Sequence, residues 1–443
     1  MASELLSYLI DCFVLSAVAA LPAAGQVIYE DIKIVADDGG TGDWFGSSVA
    51  VFGTTAIVGA PQAMQFFGTG LSYLFDTTTG EQLFRLTASD GFMEDRFGVS
   101  VAISDTTAIV GAHTDDDGGS SSGSVYVFDT TAGQELFKLT ASDAAEGDLF
   151  GISVSMSGST AIVGAIKNDG AGSDSGAAYV FDTNTGEQLF RLTASDATAY
   201  NWFGYSVAIS GTTAIVGAHR NDDNAPTPRS GAAYLFDTTT GEQLFRLAAS
   251  DASVGDNFGI SVAISGTTAI VGAKRFGGGN SGVVYLFDTT TGQELFRLTA
   301  FDVDPDAVFD KDVAISGTTA LVAMHGFEGA SAAIFDTITG EFVGMLAASE
   351  GSFGGGGPGN TIAVSGTTVI GGSFYDNVET GSAYVFFLCP ADLNDDGSLN
   401  FSDVIAFLNA FAAQDPVADF TGDGRFNFFD VSAFLSAFSA GCP

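Results

Sequence analysis

The stretch Asp148–Asp196 reads DLFGISVSMSGSTAIVGAIKNDGAGSDSGAAYVFDTNTGEQLFRLTASD, and its four short runs decide the fold. Near-identical copies name those runs: strand a as SVAIS, b as TAIVGA, c as AAYVFD and d as EQLFRLTA. Ser-Gly-Thr-Thr joins a to b in most copies, and Asp-Thr-Thr-Thr-Gly or a one-residue variant of it joins c to d. Gly- and Thr-bearing breaks between short β-branched and aromatic runs are hairpin signals.

The unit recurs every 51–55 residues, with its aligned phenylalanine at Phe45, Phe97, Phe150, Phe203, Phe258 and Phe309. A seventh, eroded copy runs from about Gly359 to Leu388 and holds a, b and c but no d. Four antiparallel strands iterated at such a period are the pattern of a β-propeller blade. The segment Ile28–Ala36 aligns with strand d, so the N-terminus is expected to complete the last blade. Seven four-stranded blades then close over residues 26–388, and no sheet of an open array is left as an edge. The fold class is therefore all-β, a seven-bladed β-propeller, followed by a small all-α module over residues 389–443.

Composition narrows the function. The chain carries 14 Lys+Arg against 53 Asp+Glu, a formal charge of −39, which leaves too few cations to neutralise phosphates and disfavours nucleic acid. Anionic membrane surfaces are disfavoured by the same sign. With 46% apolar residues the chain has material to bury, which argues against disorder. Residues 1–25 read as an export signal, with an apolar run Leu5–Ala24 and small residues before a cut near Gly25. Glu4 and Asp11 depart from that pattern, and no Lys or Arg precedes the run. The expected location is secreted or on a bacterial cell surface, with no membrane span in the mature chain.

Chain direction puts the d→a and b→c connections on one face and the short a→b and c→d turns on the other. The first face carries Asp115-Asp116-Asp117, Asn168-Asp169 and Asp222-Asp223, and the acid pairs Asp37/Asp43, Asp90/Asp95, Asp143/Asp148 and Asp251/Asp256. These acids read first as turn chemistry. Weak calcium binding between paired carboxylates and a glycosidase-type pair are the other readings. His113, His219 and His325 share one repeat position in alternate units, so they read as rim residues and not as one metal site. Trp44 and Trp202, beside the Phe-Gly pair, read as packing.

Phe45-Gly46, Phe97-Gly98, Phe150-Gly151, Phe203-Gly204 and Phe258-Gly259, together with Gly59-Ala60-Pro61, resemble FG-GAP repeats, the blades of integrin alpha-subunit propellers. The resemblance spans residues 28–388. The Asp-x-Asp-x-Asp-Gly calcium loop that such blades often carry between a and b is replaced here by SGTT or SDTT, so no blade calcium site is carried over. The run YLFDTTTGEQLF is also similar to quinoprotein propeller repeats, with Phe in place of their Trp.

After Leu388 the pattern changes to two copies of one unit, 27 residues apart. The first presents Asp392, Asn394, Asp396, Ser398, Asn400 and Asp403, and the second Asp419, Thr421, Asp423, Arg425, Asn427 and Asp430. These occupy positions 1, 3, 5, 7, 9 and 12 of an EF-hand-type loop, with Gly397 and Gly424 at the sharp turn, and position 7 gives a backbone carbonyl. Two Ca²⁺ sites are expected. Apolar spacing over Val404, Ile405, Leu408 and Phe411, and over Val431, Phe434, Leu435 and Phe438, predicts a helix after each loop. The tandem resembles dockerin domains, which fold on Ca²⁺ and dock into cohesin modules. Cys389 and Cys442 bracket the module, and an oxidising compartment would pair them. The Ser-Thr pairs that usually contact cohesin are absent, replaced by Phe401-Ser402 and Phe428-Phe429. The expectation is an exported, non-catalytic binding protein with its propeller as a platform, anchored through a calcium-dependent tail to a cohesin-like or other surface protein. Its propeller ligand would be a protein or glycan. The alternative is a carbohydrate-active enzyme tethered by the same tail.

Overall fold

The structure, a computed structural model, describes residues 26–63, 68–221, 230–274, 282–299, 308–325, 330–349, 361–374, 380–388, 391, 393, 399–414, 418, 420 and 425–440. Seven sheets form, each pairing its strands in the order a, b, c, d. In blade 3 these are Phe150–Ser157, Thr160–Ala165, Ala177–Asp182 and Glu187–Leu192. Strands b and c are buried over almost their whole length, because each blade is covered by its neighbours on both faces. Continuous apolar runs are what a doubly covered strand requires. Strand d, on the outer side, alternates between half-buried and exposed in blade 1, with Leu86 at its end buried.

Neighbouring a strands pack against each other all the way round, and strand a of blade 7 (Ile362–Ser365) packs against strand a of blade 1 (Ser48–Phe52). The a→b turns fasten the same ring. The N–H of Gly158, Gly211, Gly266, Gly317, Gly366 and Gly53 donates to the serine ending the preceding blade's strand a, Ser104, Ser157, Ser210, Ser265, Ser316 and Ser365 respectively, at 2.9–3.4 Å. The last of these joins residues 312 apart in sequence and closes the propeller.

The motif residues explain themselves as seam parts. Phe150 is fully buried and meets Tyr179 and Phe181 of strand c edge-on, with centroids 5.6 and 5.8 Å away. The glycine after it, Gly151, lies at φ +89°, and its carbonyl reaches into the preceding blade. There Gly111 ends strand b, and a Cβ on Gly111 would stand 2.1 Å from the Gly151 oxygen. Ser100 caps that same oxygen at 2.7 Å. The pair Gly59 and Gly98 repeats this contact with 2.0 Å of room, and Gly164 and Gly204 do so again.

Blade 6 departs. Asp310 replaces the glycine after Phe309, so the change falls at the seam with blade 5, while strand a, Val308–Ser316, keeps the register shift after the phenylalanine that blade 3 also has. At the 6/7 seam Ala323 stands where strand b of the other blades has its glycine, and the Asp312 carboxylate accepts the Ile362 N–H at 2.8 Å.

The N-terminal segment divides where one strand was expected. Ile32–Ile34 is strand d of blade 7, in register with Ala383–Val385, as the alignment required. Gln26–Tyr29 instead pairs parallel with Gly344–Ala347, giving blade 6 a fifth strand. Glu30 between them accepts the Ser349 N–H and hydroxyl at 2.7 and 2.6 Å. The first nine described residues thus strap blades 6 and 7 together.

Two short helices follow, α1 (Phe401–Ala413) and α2 (Phe428–Ala440). They meet through Phe407 and Phe434, equivalent in the two copies, whose rings stack 4.1 Å apart and 4° from parallel.

Candidate functional site

The acids of the variable-loop face are largely structural. In five blades a tyrosine of strand c stands opposite a cation of strand d: Tyr73 and Arg85, Tyr126 and Lys138, Tyr179 and Arg191, Tyr234 and Arg246, Tyr285 and Arg297. One aspartate of the incoming d→a connection closes each pair. The hydroxyl donates to one oxygen of Asp38, Asp90, Asp143, Asp196 or Asp251 at 2.5–2.9 Å. The cation ion-pairs with the other oxygen at 2.7–3.2 Å. Half-exposed pairs of this kind contribute about 0–1 kcal/mol each, so their role is to fix the connection more than to stabilise the ring. In blade 1 the participant is Asp38, not the expected Asp37. Blade 6 loses both strand partners together, with Ala333 opposite Met345.

The second acid of each pair is buried and caps its own turn. Asp43, Asp95, Asp148 and Asp256 accept the N–H of Gly40, Phe92, Ala145 and Ser253 at 2.5–3.0 Å. Turn chemistry therefore accounts for the second member of each pair, the first being held in the tyrosine–cation lock in blades 2, 3 and 5, and among the described residues no group of three or more His, Cys, Asp or Glu is arranged to hold a metal. The opposite face is not free of acid, as its uniform turns had suggested. Asp76, Asp129, Asp237 and Asp288 sit in the c→d turns, each accepting a threonine N–H at 2.7 Å and hydroxyl at 2.6 Å. Those hydrogen bonds hold all four carboxyls below the usual range.

Blade 2 concentrates charge. Lys138 bonds Asp90, Asp115 and Asp117 together. Beside it burial, reinforced by Asp115 and Asp116, pushes Asp95 up to about 6. Its folded value lies above its unfolded one, so ionised Asp95 costs stability above pH 6, and that cost fades as pH falls toward 4. Asn201 fills the same position in blade 4, so the repeat accepts the amide. Asp95→Asn is expected to raise stability at pH 7.5 on the order of 1–2 kcal/mol and to change little at pH 4.5, measured by urea unfolding. A loss of stability at pH 7.5 would contradict this account.

His113 and His219 are each 6% exposed, so they are packed in the fold and not set on a rim. Burial lowers His113 to about 4, with Arg96 and Lys167 adding to the effect. His325 ends strand b of blade 6. Trp202 packs, as expected, stacked with Tyr205, edge-on to His219 and covered by the Arg220 guanidinium 3.3 Å from its ring centre. Trp44 packs on Phe374 at 5.6 Å.

In the tail, Asp392, Asn394, Asp396, Ser398, Asp419, Thr421, Asp423, Cys389 and Cys442 lie outside the described residues. The rest of both sets is placed, and placed alike. Asn400 caps α1, accepting the Ser402 N–H at 2.8 Å, while its own N–H donates to Asp403 at 2.8 Å. Asn427 does the same for α2, with Phe429 at 2.9 Å and Asp430 at 2.7 Å, and its amide donates to the Arg425 carbonyl at 3.2 Å. Asp403 and Asp430 are both 0% exposed. The sequence pattern marked these residues as ligands and did not show that they also form capping boxes. A buried carboxylate at the end of each oxygen-rich loop suits a hard divalent cation in donor chemistry. The following positions face outward, Phe401 at 68%, Phe428 at 76% and Phe429 at 68% exposure.

Residues 29–75, 81–128, 134–181, 187–236 and 242–287 match the FG-GAP repeat, more than half of the chain, which therefore belongs to the FG-GAP repeat family. Each match starts at strand d of one blade and ends in strand c of the next, so the matched unit straddles a seam. Blade 6 and strands a to c of blade 7 lie beyond the matches, yet they carry the same strands. No curated protein gives a significant match.

Proposed function

We propose that this protein is an exported interaction platform, a rigid propeller that presents one face of variable connections and is anchored by a calcium-dependent, dockerin-like tail. The observation that carries the platform is the asymmetry of the ring. Every a→b turn is two residues long, while the b→c connections reach eleven residues between Ala112 and Ser124 and thirteen between Ala218 and Ala232. Unequal connections on a fixed scaffold are where recognition is placed. The Tyr–Asp–cation locks hold the roots of those connections still.

For the tail, support comes from the two equivalent buried carboxylates and from the apolar first turns. Asp392, Asn394, Asp396, Ser398, Asn400 and Asp403 would hold one Ca²⁺, and Asp419, Thr421, Asp423, Arg425, Asn427 and Asp430 the other. Calcium would pull each loop onto its helix, and the exposed Phe401, Phe428 and Phe429 would then meet the anchoring partner. The test is retention of the tagged full chain on cell-envelope extract. Retention in Ca²⁺, release by chelator and loss in Phe401→Ser/Phe428→Ser/Phe429→Ser are expected. Retention that ignores chelator would end the anchoring proposal.

A further inference from the structure

A groove of about 300 Å³ opens on the variable face between blades 1 and 2. It runs between Pro61, Gln62 and Gly68 of blade 1 and the d→a and b→c connections of blade 2. Gln62, Glu94, Arg96, Thr114, Asp116 and Ser121 supply its polar wall, and Pro61 and Met93 its apolar part.

Two features mark it. The first is backbone conformation. The position three residues before the blade phenylalanine is left-handed in five blades, and three of them use glycine, Gly42, Gly147 and Gly255, at φ +82° to +87°. Blade 2 places Glu94 there at φ +73°, and blade 4 places Tyr200 there at φ +67°. A non-glycine residue in that region is strained, and such strain concentrates at binding sites. The second is the charge pairing. The strand-d cations of blades 1 to 5 are all tied to aspartates, yet among the described residues Arg96 makes no ion pair, in a chain of charge −39. The Glu94 carboxylate likewise has no described partner, and Asp116 accepts only the Ser121 N–H, at 2.7 Å.

We infer that this groove binds a neutral saccharide. Two carboxylates accept from hydroxyls, a guanidinium donates to hydroxyl oxygens, the Gln62 amide and the Ser121 hydroxyl do both, and the Thr114 hydroxyl, which donates to the Glu94 carbonyl at 2.5 Å, accepts. An anionic ligand would meet Glu94 and Asp116, and a cationic one would meet Arg96. A polyhydroxylated neutral ligand uses all three without leaving a charge opposed. A peptide strand would want a free sheet edge or apolar pockets, and this wall is mostly polar. The volume falls at the small end of small-molecule sites, roughly 300–1,000 Å³. The inference rests on the platform reading of the propeller and is independent of the tail.

The test is titration calorimetry of the full chain with maltose, cellobiose, lactose and mannobiose, and with triglycine as the zwitterionic probe. At least one disaccharide should bind with a Kd on the order of 1 mM. Arg96→Ala should weaken that binding at least about ten-fold, the loss of one charge-assisted hydrogen bond. Glu94→Gly should weaken it as well, while its melting temperature stays equal to or above that of the native chain because glycine relaxes the backbone. Binding of triglycine in place of the sugars overturns the ligand class. Binding unchanged in both variants, or no binding of any probe, overturns the groove as the site. In neither case would calcium-dependent retention through the tail be affected, so the two proposals fail separately.

Discussion

Gly164→Ala is expected to destabilise the propeller by about 3–5 kcal/mol, as overpacking against a backbone that cannot retreat. The added methyl would stand 2.0 Å from the Gly204 carbonyl oxygen and 2.4 Å from the Ser153 hydroxyl. Neither can yield cheaply. The Gly204 N–H is bonded to the Gly217 carbonyl at 3.1 Å, and its oxygen receives the Ser153 hydroxyl at 2.8 Å. Relief would require blades 3 and 4 to part, and in a closed ring that motion spreads to every other seam. Gly158→Ala is the control. Gly158 has φ +55° and open space around its Cβ position, so only the left-handed backbone is penalised, at about 1 kcal/mol. Urea unfolding of both variants separates the two causes. Equal losses would mean that the close approach of the seam glycines is not what holds neighbouring blades together.

This contrast also shows what was readable in advance. Four strands per copy and seven copies were legible, because each strand is long enough to show its own pattern and the missing last strand d had a counterpart at the N-terminus. The seam was not legible. Gly111 meets Gly151 across two blades, and no periodicity within one copy signals that contact. Gln26–Tyr29 was absorbed into the following strand because four residues are too few to show alternation. The rim locks could have been found by comparing copies. Counting seven residues back from Phe45, Phe97, Phe150 and Phe258 selects Asp38, Asp90, Asp143 and Asp251 in turn, where a five- or six-residue spacing between acids admits Asp37 as well. In the tail, spacing pointed to Asn400 and Asp403 as ligands, and the same spacing makes a capping box, since both functions want an oxygen at those places.

Chelating calcium from the full chain is expected to unfold α1 and α2 while the propeller stays intact. The tail's own core is small. Ala391, Phe407, Ala418 and Phe434 are its fully buried apolar residues among those described. Units of this size seldom fold on apolar burial alone and take a metal or a disulfide as a staple. Asp403 and Asp430 add a cost, because a carboxylate taken out of water must be repaid by a cation or by hydrogen bonds. Ca²⁺ at about a thousand times its Kd would supply about 4 kcal/mol, enough to decide whether such a unit is folded. Hydrogen exchange read over Phe401–Ala413 and Phe428–Ala440 should therefore lose protection in chelator and regain it with Ca²⁺. The experiment belongs in reductant, so that a Cys389–Cys442 bridge cannot hold the helices in calcium's place. Asp403→Ala should expose α1 first and Asp430→Ala α2 first, each then loosening its neighbour through the Phe407–Phe434 stack. Protection that persists in chelator and reductant would show that the capping boxes and the aromatic core suffice, and would remove calcium from the account of this tail.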